Sequence, residues 1–194
     1  MKRRKAERVR RPLDTFMAGT LVVAALCATV PARALAADAW EALGPARIGA
    51  GFEQISRDAA LKCDVRGGRA VCAVTSSGPV LFSGVLVARV EALFRESALE
   101  RVNVSLATTQ YEALHRVVTA HYGAGEDCSF LAIAGMAAEF VAGVFVWRVG
   151  TTSVVLRQYA GKIDRSALSY GTEESMADVV RKARAYPRGA RRDL

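Results

Sequence analysis

Apolar and polar residues alternate along Val85–Arg95 (VLVARVEALFR) and Leu99–Leu106 (LERVNVSL). In the first run Ala88, Val90, Ala92 and Phe94 share one face and Arg89, Glu91 and Arg95 the other, with Leu93 as the exception. In the second, Val102, Val104 and Leu106 oppose Arg101, Asn103 and Ser105. A period of two with one polar face predicts antiparallel strands covered on one side, and Glu96-Ser97-Ala98 links them as a hairpin. Lys62–Val74 (KCDVRGGRAVCAV) predicts an earlier hairpin, because Gly67-Gly68 supplies the two positive-φ positions that a type I′ turn needs. Counting outward from that turn sets Arg66 opposite Arg69, Val65 opposite Ala70, Asp64 opposite Val71 and Cys63 opposite Cys72. The pair beside the turn is hydrogen-bonded, so Cys63/Cys72 falls on a non-bonded site. There the Cα atoms approach to about 4.5 Å and a disulfide fits. Val144–Val149 and Ser153–Tyr159 around Gly150-Thr151-Thr152 make a third hairpin. Ala167–Tyr170 is a short last strand, and Val80–Phe82 a short edge piece.

The period becomes helical at Thr109-Gln110-Tyr111-Glu112, a capping box in which hydroxyl and carboxylate serve each other's end of the first turn. A helix from there to Tyr122, stopped at Gly123, sets Tyr111, Leu114, Val118 and Tyr122 in one stripe against the apolar face of the sheet. Thr172 heads a terminal helix with Glu173 and Glu174 at its positive end and Arg181, Lys182 and Arg184 near its negative end. Its apolar stripe is Met176, Val179, Val180 and Ala183, and Pro187 ends it. Gly44-Pro45 breaks any helix after Trp40–Leu43, and Ser56 is expected to cap a single turn running into Ala59–Leu61. Cys128–Trp147 carries one charge, Glu139, and so competes as a membrane span. A central acid costs about 2.5–3.5 kcal/mol there, and the run turns from alanine-rich to β-branched at Val144. A short helix or packed loop over Phe130–Phe140, then Gly143 and a strand, fits better. The expected fold is α+β: one antiparallel sheet of 6–7 strands built from hairpins, with helices packed on one face.

The N-terminus changes the picture of charge. A basic Met1–Arg11, an apolar Thr15–Val30 and Ala34-Leu35-Ala36 form an export signal with its cleavage site; a retained anchor is the alternative reading. This divides the 194-residue chain into a signal at 1–36, a domain at 37–186 and a basic, unstructured tail at 187–194. Eight lysines and arginines fall in residues 1–36 against Glu7 and Asp14, and six fall in residues 181–194 against Asp193. The formal charge of +8 therefore sits in the two ends, and the body between them is acidic. A nucleic-acid partner, which needs a basic surface to neutralise phosphates, is not expected. Membrane contact is open to the N-terminal segment or the tail. Export to the periplasm or medium favours the Cys63–Cys72 disulfide and leaves Cys128 over.

Candidate chemistry is sparse. No G-x-S-x-G, H-E-x-x-H, P-loop, G-x-G-x-x-G, C-x-x-C or EF-hand pattern occurs. The spacing of Cys63 and Cys72 suits no zinc knuckle, and no metal or cofactor is implied. His115 and His121 are six residues apart on one helix, about 120° off a common face. The sharpest enzymatic arrangement is Cys128 with His121 or His115, as in an envelope hydrolase, but Glu126 and Asp127 oppose thiolate formation. On the sheet, Arg89, Glu91, Arg95, Arg101 and Asn103 form a mixed-charge face that suits either solvent or a partner.

The two cysteines around the hairpin, YEALHRVVTAHYG, VWRVGTTSVVLRQY, SALSYG and the basic C-terminus together resemble small exported bacterial proteins of unknown function in layout. The architecture is more distantly similar to the BamE/SmpA-like and β-lactamase-inhibitor-protein-like folds, though the lipid-anchor cysteine of BamE-like lipoproteins is missing. Those resemblances imply binding rather than catalysis. The sequence therefore points to an exported, non-catalytic binding or envelope-scaffold module, with an unknown envelope protein or small ligand as partner.

Overall fold

The computed structural model describes residues 37–134, 138–185 and 191–193. The predicted export signal lies outside the described residues. The elements, in order, are β1 (Ala37–Asp38), α1 (Trp40–Leu43), α2 (Phe52–Asp58), β2 (Leu61–Arg66), β3 (Arg69–Val74), β4 (Val80–Phe82), β5 (Val85–Val87), β6 (Arg89–Arg95), β7 (Ala98–Ala107), α3 (Tyr111–Tyr122), β8 (Glu126–Asp127), β9 (Phe130–Ala134), β10 (Ala138–Ala142), β11 (Val144–Val149), β12 (Thr152–Arg157), β13 (Arg165–Thr172), α4 (Glu173–Arg184) and β14 (Arg191–Asp193). Eight strands form one sheet in the order β2-β3-β6-β7-β13-β12-β11-β8, every neighbouring pair antiparallel. Two three-stranded sheets, β1-β4-β5 and β10-β9-β14, are separate from it.

The predicted hairpin register holds residue by residue, from Arg66 opposite Arg69 to Cys63 opposite Cys72. Gly67 and Gly68 have φ of +54° and +74°, the left-handed values that a two-residue turn of this hand demands. Cys63 and Cys72 are bonded, S–S 2.08 Å, with Cα atoms 4.0 Å apart. The alternation of β6 and β7 also holds: Val90, Ala92, Phe94, Val102, Val104 and Leu106 are buried together. Leu99 joins the same core although its parity is opposite to that of Val102. A register shift pairs Leu93 with Arg101 and Phe94 with Leu99, so Glu100 is the extra residue of a β-bulge.

Five expectations need correction. The sheet has eight strands, more than the 6–7 expected, because β8 adds an edge and β13 is a long strand between β7 and β12. The helices do not share one face. Tyr111, Leu114 and Val118 of α3 pack in the core that holds Val154, Leu156, Leu168 and Tyr170. Met176 and Ala183 of α4 pack with Val144, Val146 and Val155 on the opposite face. The physical reason is that β11 and β12 are apolar on both sides, so each side needs a cover. Val85–Arg95 is two strands, β5 and β6, the first of which pairs with β4 in a small sheet. The alanine-rich stretch expected as a helix or packed loop is the β9–β10 hairpin. Arg191–Asp193, expected to be unstructured, runs parallel to β9 as β14.

The helix ends are mixed. Thr172 caps α4 as predicted, its hydroxyl accepting from the Ser175 amide at 3.2 Å, worth about 1 kcal/mol. The Thr109/Glu112 box does not form: Thr108–Gln110 is a 3-10 turn and Gln110 precedes α3 without a side-chain cap. Ser56 lies inside α2, which follows Gly51. Among the described residues no helix is long and apolar enough to cross a membrane.

Candidate functional site

The mixed-charge face predicted on β6 and β7 exists, with Glu91 opposite Asn103 and Leu93 opposite Arg101, but its members serve one another. Arg89 pairs with Glu91 at 2.7 Å. Arg95 reaches Glu100 at 2.8 Å and Glu174 of α4 at 3.1 Å; the hydrogen bond it donates to Glu174 and the charge of Glu100 raise its pKa. The guanidinium of Arg101 donates to Asn103 Oδ1 at 3.0 Å and, from another nitrogen, to the Ser175 carbonyl at 3.4 Å. Burial beneath α4 lowers its pKa. Of the five residues only Arg89 is exposed, the other four being half-buried. The first turn of α4 thus uses much of the surface that would have met a partner.

The structure does not bring Cys128 to a histidine. Cys128 is buried in the cluster under α4. His115 stands on the other side of the sheet, its ring centroid 4.2 Å from that of Phe145 and 6.0 Å from that of Trp147. Phe145 and Trp147 alternate along β11 with Val144 and Val146, which face Cys128, so the sheet separates thiol from imidazole. Burial, followed by the Glu126 carboxylate, raises the thiol pKa. Glu126 is itself held below the usual carboxylate range by its hydrogen bonds from Arg184, at 2.6–3.1 Å. A raised pKa is the wrong direction for a nucleophile. Among the described residues no three His, Cys, Asp or Glu side chains converge as metal ligands would.

His121 lies elsewhere, in a cleft of about 470 Å³ lined by Trp40, Glu41, Arg47, Ser83, His121, Tyr122 and the turn at Gly44-Pro45-Ala46. Trp40 opens α1, its amide donating to Asp38 Oδ1 at 3.0 Å. Asp38 also accepts from the amides of Ser83 and Gly84, both at 2.9 Å, which fastens β1 to the β4–β5 turn. The Trp40 ring meets the Phe82 ring edge-on at 5.0 Å and stacks on His121 at 4.9 Å with planes 23° apart. Buried Tyr170 donates its hydroxyl to the Leu43 carbonyl and so ties the end of α1 to β13. His121 and Tyr122 end α3, which Gly123 stops with φ +77°. Arg47 closes one side, bound to Asp58 at 2.6 Å, while its Nε is buried without a hydrogen-bond partner. Ser83 and His121 share the cleft, yet no hydrogen bond joins them. The arrangement offers stacking surface, one imidazole, one carboxylate and one guanidinium that is already paired with Asp58. Sequence reading missed Trp40 and Arg47 as site residues, because in the largely apolar run ADAWEALGPARIGA a tryptophan reads as core.

No protein-family model matches the sequence, and no curated protein matches it. Among solved structures the chain is similar to a cysteine-rich secretory protein from Staphylococcus aureus subsp. aureus Mu50, at 9% identity and a TM-score of 0.39, over 70% of this chain and 46% of that one. The chain spans less than half the length of that protein, and a likeness this low carries no argument. Nothing in the comparisons supports the BamE/SmpA-like resemblance.

Proposed function

We propose that the protein is an exported, non-catalytic binding module whose site is the cleft between α1 and the C-terminal end of α3. The observation that carries this reading is the Trp40–His121–Tyr122 aromatic wall with Arg47 beside it, in a cleft without a paired nucleophile and base. Its ligand class is a small molecule or peptide side chain with a flat or aliphatic body and one polar end. Apolar burial against the rings gives affinity, and His121 and Arg47 orient the polar end. The Cys63–Cys72 disulfide supports an oxidising compartment, and the N-terminal segment supports export, with cleavage after Ala36. Sequencing the N-terminus of the protein recovered from expressing cells tests export, Ala37 being the expected first residue. For the site, an NMR screen of aromatic and aliphatic acids and amides should move the Trp40 indole and His121 ring signals together, and Trp40→Ala should abolish the binding. Hits that leave both signals unmoved would sink the assignment. A hydrolytic activity lost on His121→Ala would replace it with the hydrolase reading.

A further inference from the structure

The two edges of the eight-stranded sheet are not alike. β8 ends one edge with just Glu126 and Asp127, a short acidic strand of the kind that discourages further pairing. β2 ends the other with six residues, Leu61–Arg66, and among the described residues nothing pairs with its outer side. The Gly67-Gly68 turn makes Arg66/Arg69 a hydrogen-bonded pair, so Asp64 and Lys62 also bond to β3. The amides and carbonyls of Leu61, Cys63 and Val65 therefore point away from the sheet. On one face of the strand stand Leu61, Cys63 and Val65; on the other stand Lys62, Asp64 and Arg66. Val65 is 69% exposed although it is apolar, and it borders a hollow of about 310 Å³ lined by Phe52, Cys63, Ala70 and Phe94.

We propose that β2 pairs antiparallel with β2 of a second copy of this chain across a two-fold axis at Cys63, joining the two sheets edge to edge. Only residues whose backbone groups point outward can form the bonded pairs, which restricts the register to the odd positions. Centring on Cys63 sets Leu61 opposite Val65 of the second copy, with about six interstrand bonds, and sets Lys62 opposite Asp64 in both symmetry-related places. Those charges fall on non-bonded sites, where side chains approach closest. Sliding the strands by one pair in either direction puts Lys62 opposite Lys62 or Asp64 opposite Asp64. Like charges directly opposed disfavour both shifts. Centring on Val65 would set Asp64 opposite Arg66 but leaves one bonded pair within the strand, so the Cys63 register alone combines opposite charges on one face with three bonded pairs of apolar positions on the other. The partner also gives Val65 an apolar neighbour and extends the wall of the hollow beside it.

Sedimentation velocity on a dilution series of the protein as recovered from cells tests the pairing. The wild type should dissociate from dimer to monomer on dilution. K62E and D64K, each turning two attractive cross-strand pairs repulsive, should each weaken the dimer by roughly ten-fold or more. K62D/D64K, which exchanges the charges, should restore it. Val65→Pro removes an outward amide without touching the bonds to β3, and should leave a folded monomer. Hydrogen exchange at Leu61, Cys63 and Val65 should slow as concentration rises. A wild type that stays monomeric throughout, a dimer indifferent to K62E, or no recovery in K62D/D64K would each overturn the proposal.

Discussion

Reducing the Cys63–Cys72 disulfide perturbs the fold with a cost that can be worked out beforehand. The bond joins residues nine apart in sequence. The chain-entropy model then gives the unfolded state about 9 cal/mol/K of freedom that the cross-link had removed, or about 2.7 kcal/mol at 25 °C. Reduction leaves both sulfurs in place, so no cavity term is added, as it would be in an alanine variant. The hairpin is also not a detachable flap. Cys72 is fully buried and pairs with Ala92 of β6 inside the main core, so freeing the loop should register in global unfolding rather than local fraying. For a domain of this size 2.7 kcal/mol corresponds to a melting temperature lower by roughly 5–11 °C. Paired calorimetric scans of oxidised and reduced protein at equal pH read this directly, and a Cys63→Ala/Cys72→Ala variant should lose all dependence on reductant. Equal melting temperatures would refute the reasoning, because the hairpin would then have to persist in the unfolded chain. Reactive thiols at Cys63 and Cys72 in the oxidised, denatured protein, located by alkylation and peptide mapping, would refute the bond itself.

Tyr170→Phe strands the fully buried Leu43 carbonyl and should cost about 1–3 kcal/mol in urea denaturation, with weaker binding at the cleft because α1 loses its tie to β13. Gly125→Ala would set a Cβ 2.6 Å from Trp147 Cε2, beside an indole already fixed by its 2.9 Å bond to the Gly123 carbonyl; a loss of about 1–3 kcal/mol and a shifted tryptophan emission are expected. Cys128 should react with iodoacetamide far more slowly in folded than in denatured protein at pH 8, because burial and Glu126 push its pKa up. The linkage has a definite sign. The folded pKa lies above the unfolded one, so this contribution to stability is complete below about pH 8.5 and is lost as pH rises through the folded value. Wild-type stability should therefore decline in that range more than that of Cys128→Ala.

The parts of the fold that could be read from sequence are those in which one local rule acts alone. Gly67-Gly68 permits one turn of the right hand, and register and disulfide follow from it. Thr172 ahead of two acids makes a cap that needs no tertiary help. Reading failed where tertiary cover overrides local preference. Phe130–Ala142 is rich in alanine and reads as helical, but Phe130, Ala132 and Ala142 are buried in the cluster with Met176 and Ala183 of α4, and packing there selects strands. The placement of α4 was latent in Val144–Trp147: an alternating strand that is apolar at every position has no solvent side, so it must be covered twice. The Glu100 bulge left one mark in the pattern, Leu99 standing apolar on the parity of Arg101 and Asn103, but parity alone does not tell a bulge from a strand end until the register connects Leu99 with Phe94.

The cleft was illegible for a related reason, and that reason bears on its function. A helix of four residues has almost no stability of its own, since the first turn costs more order than its single bond returns. α1 therefore exists because other parts of the chain hold it. Asp38 takes its first amide, Tyr170 takes its last buried carbonyl, Phe82 meets the edge of Trp40 and His121 its face. Asp38, Phe82 and His121, from three separate elements, converge on Trp40, while Leu43 at the other end of α1 is buried in the main core with Phe82 and Tyr170. Trp40 is held by Phe82 at its edge and His121 at its face, and a ring restrained at a cleft wall loses less side-chain entropy when a ligand stacks against it. Holding a segment of weak propensity in this way is reasonable for a surface that must be ready before its ligand arrives.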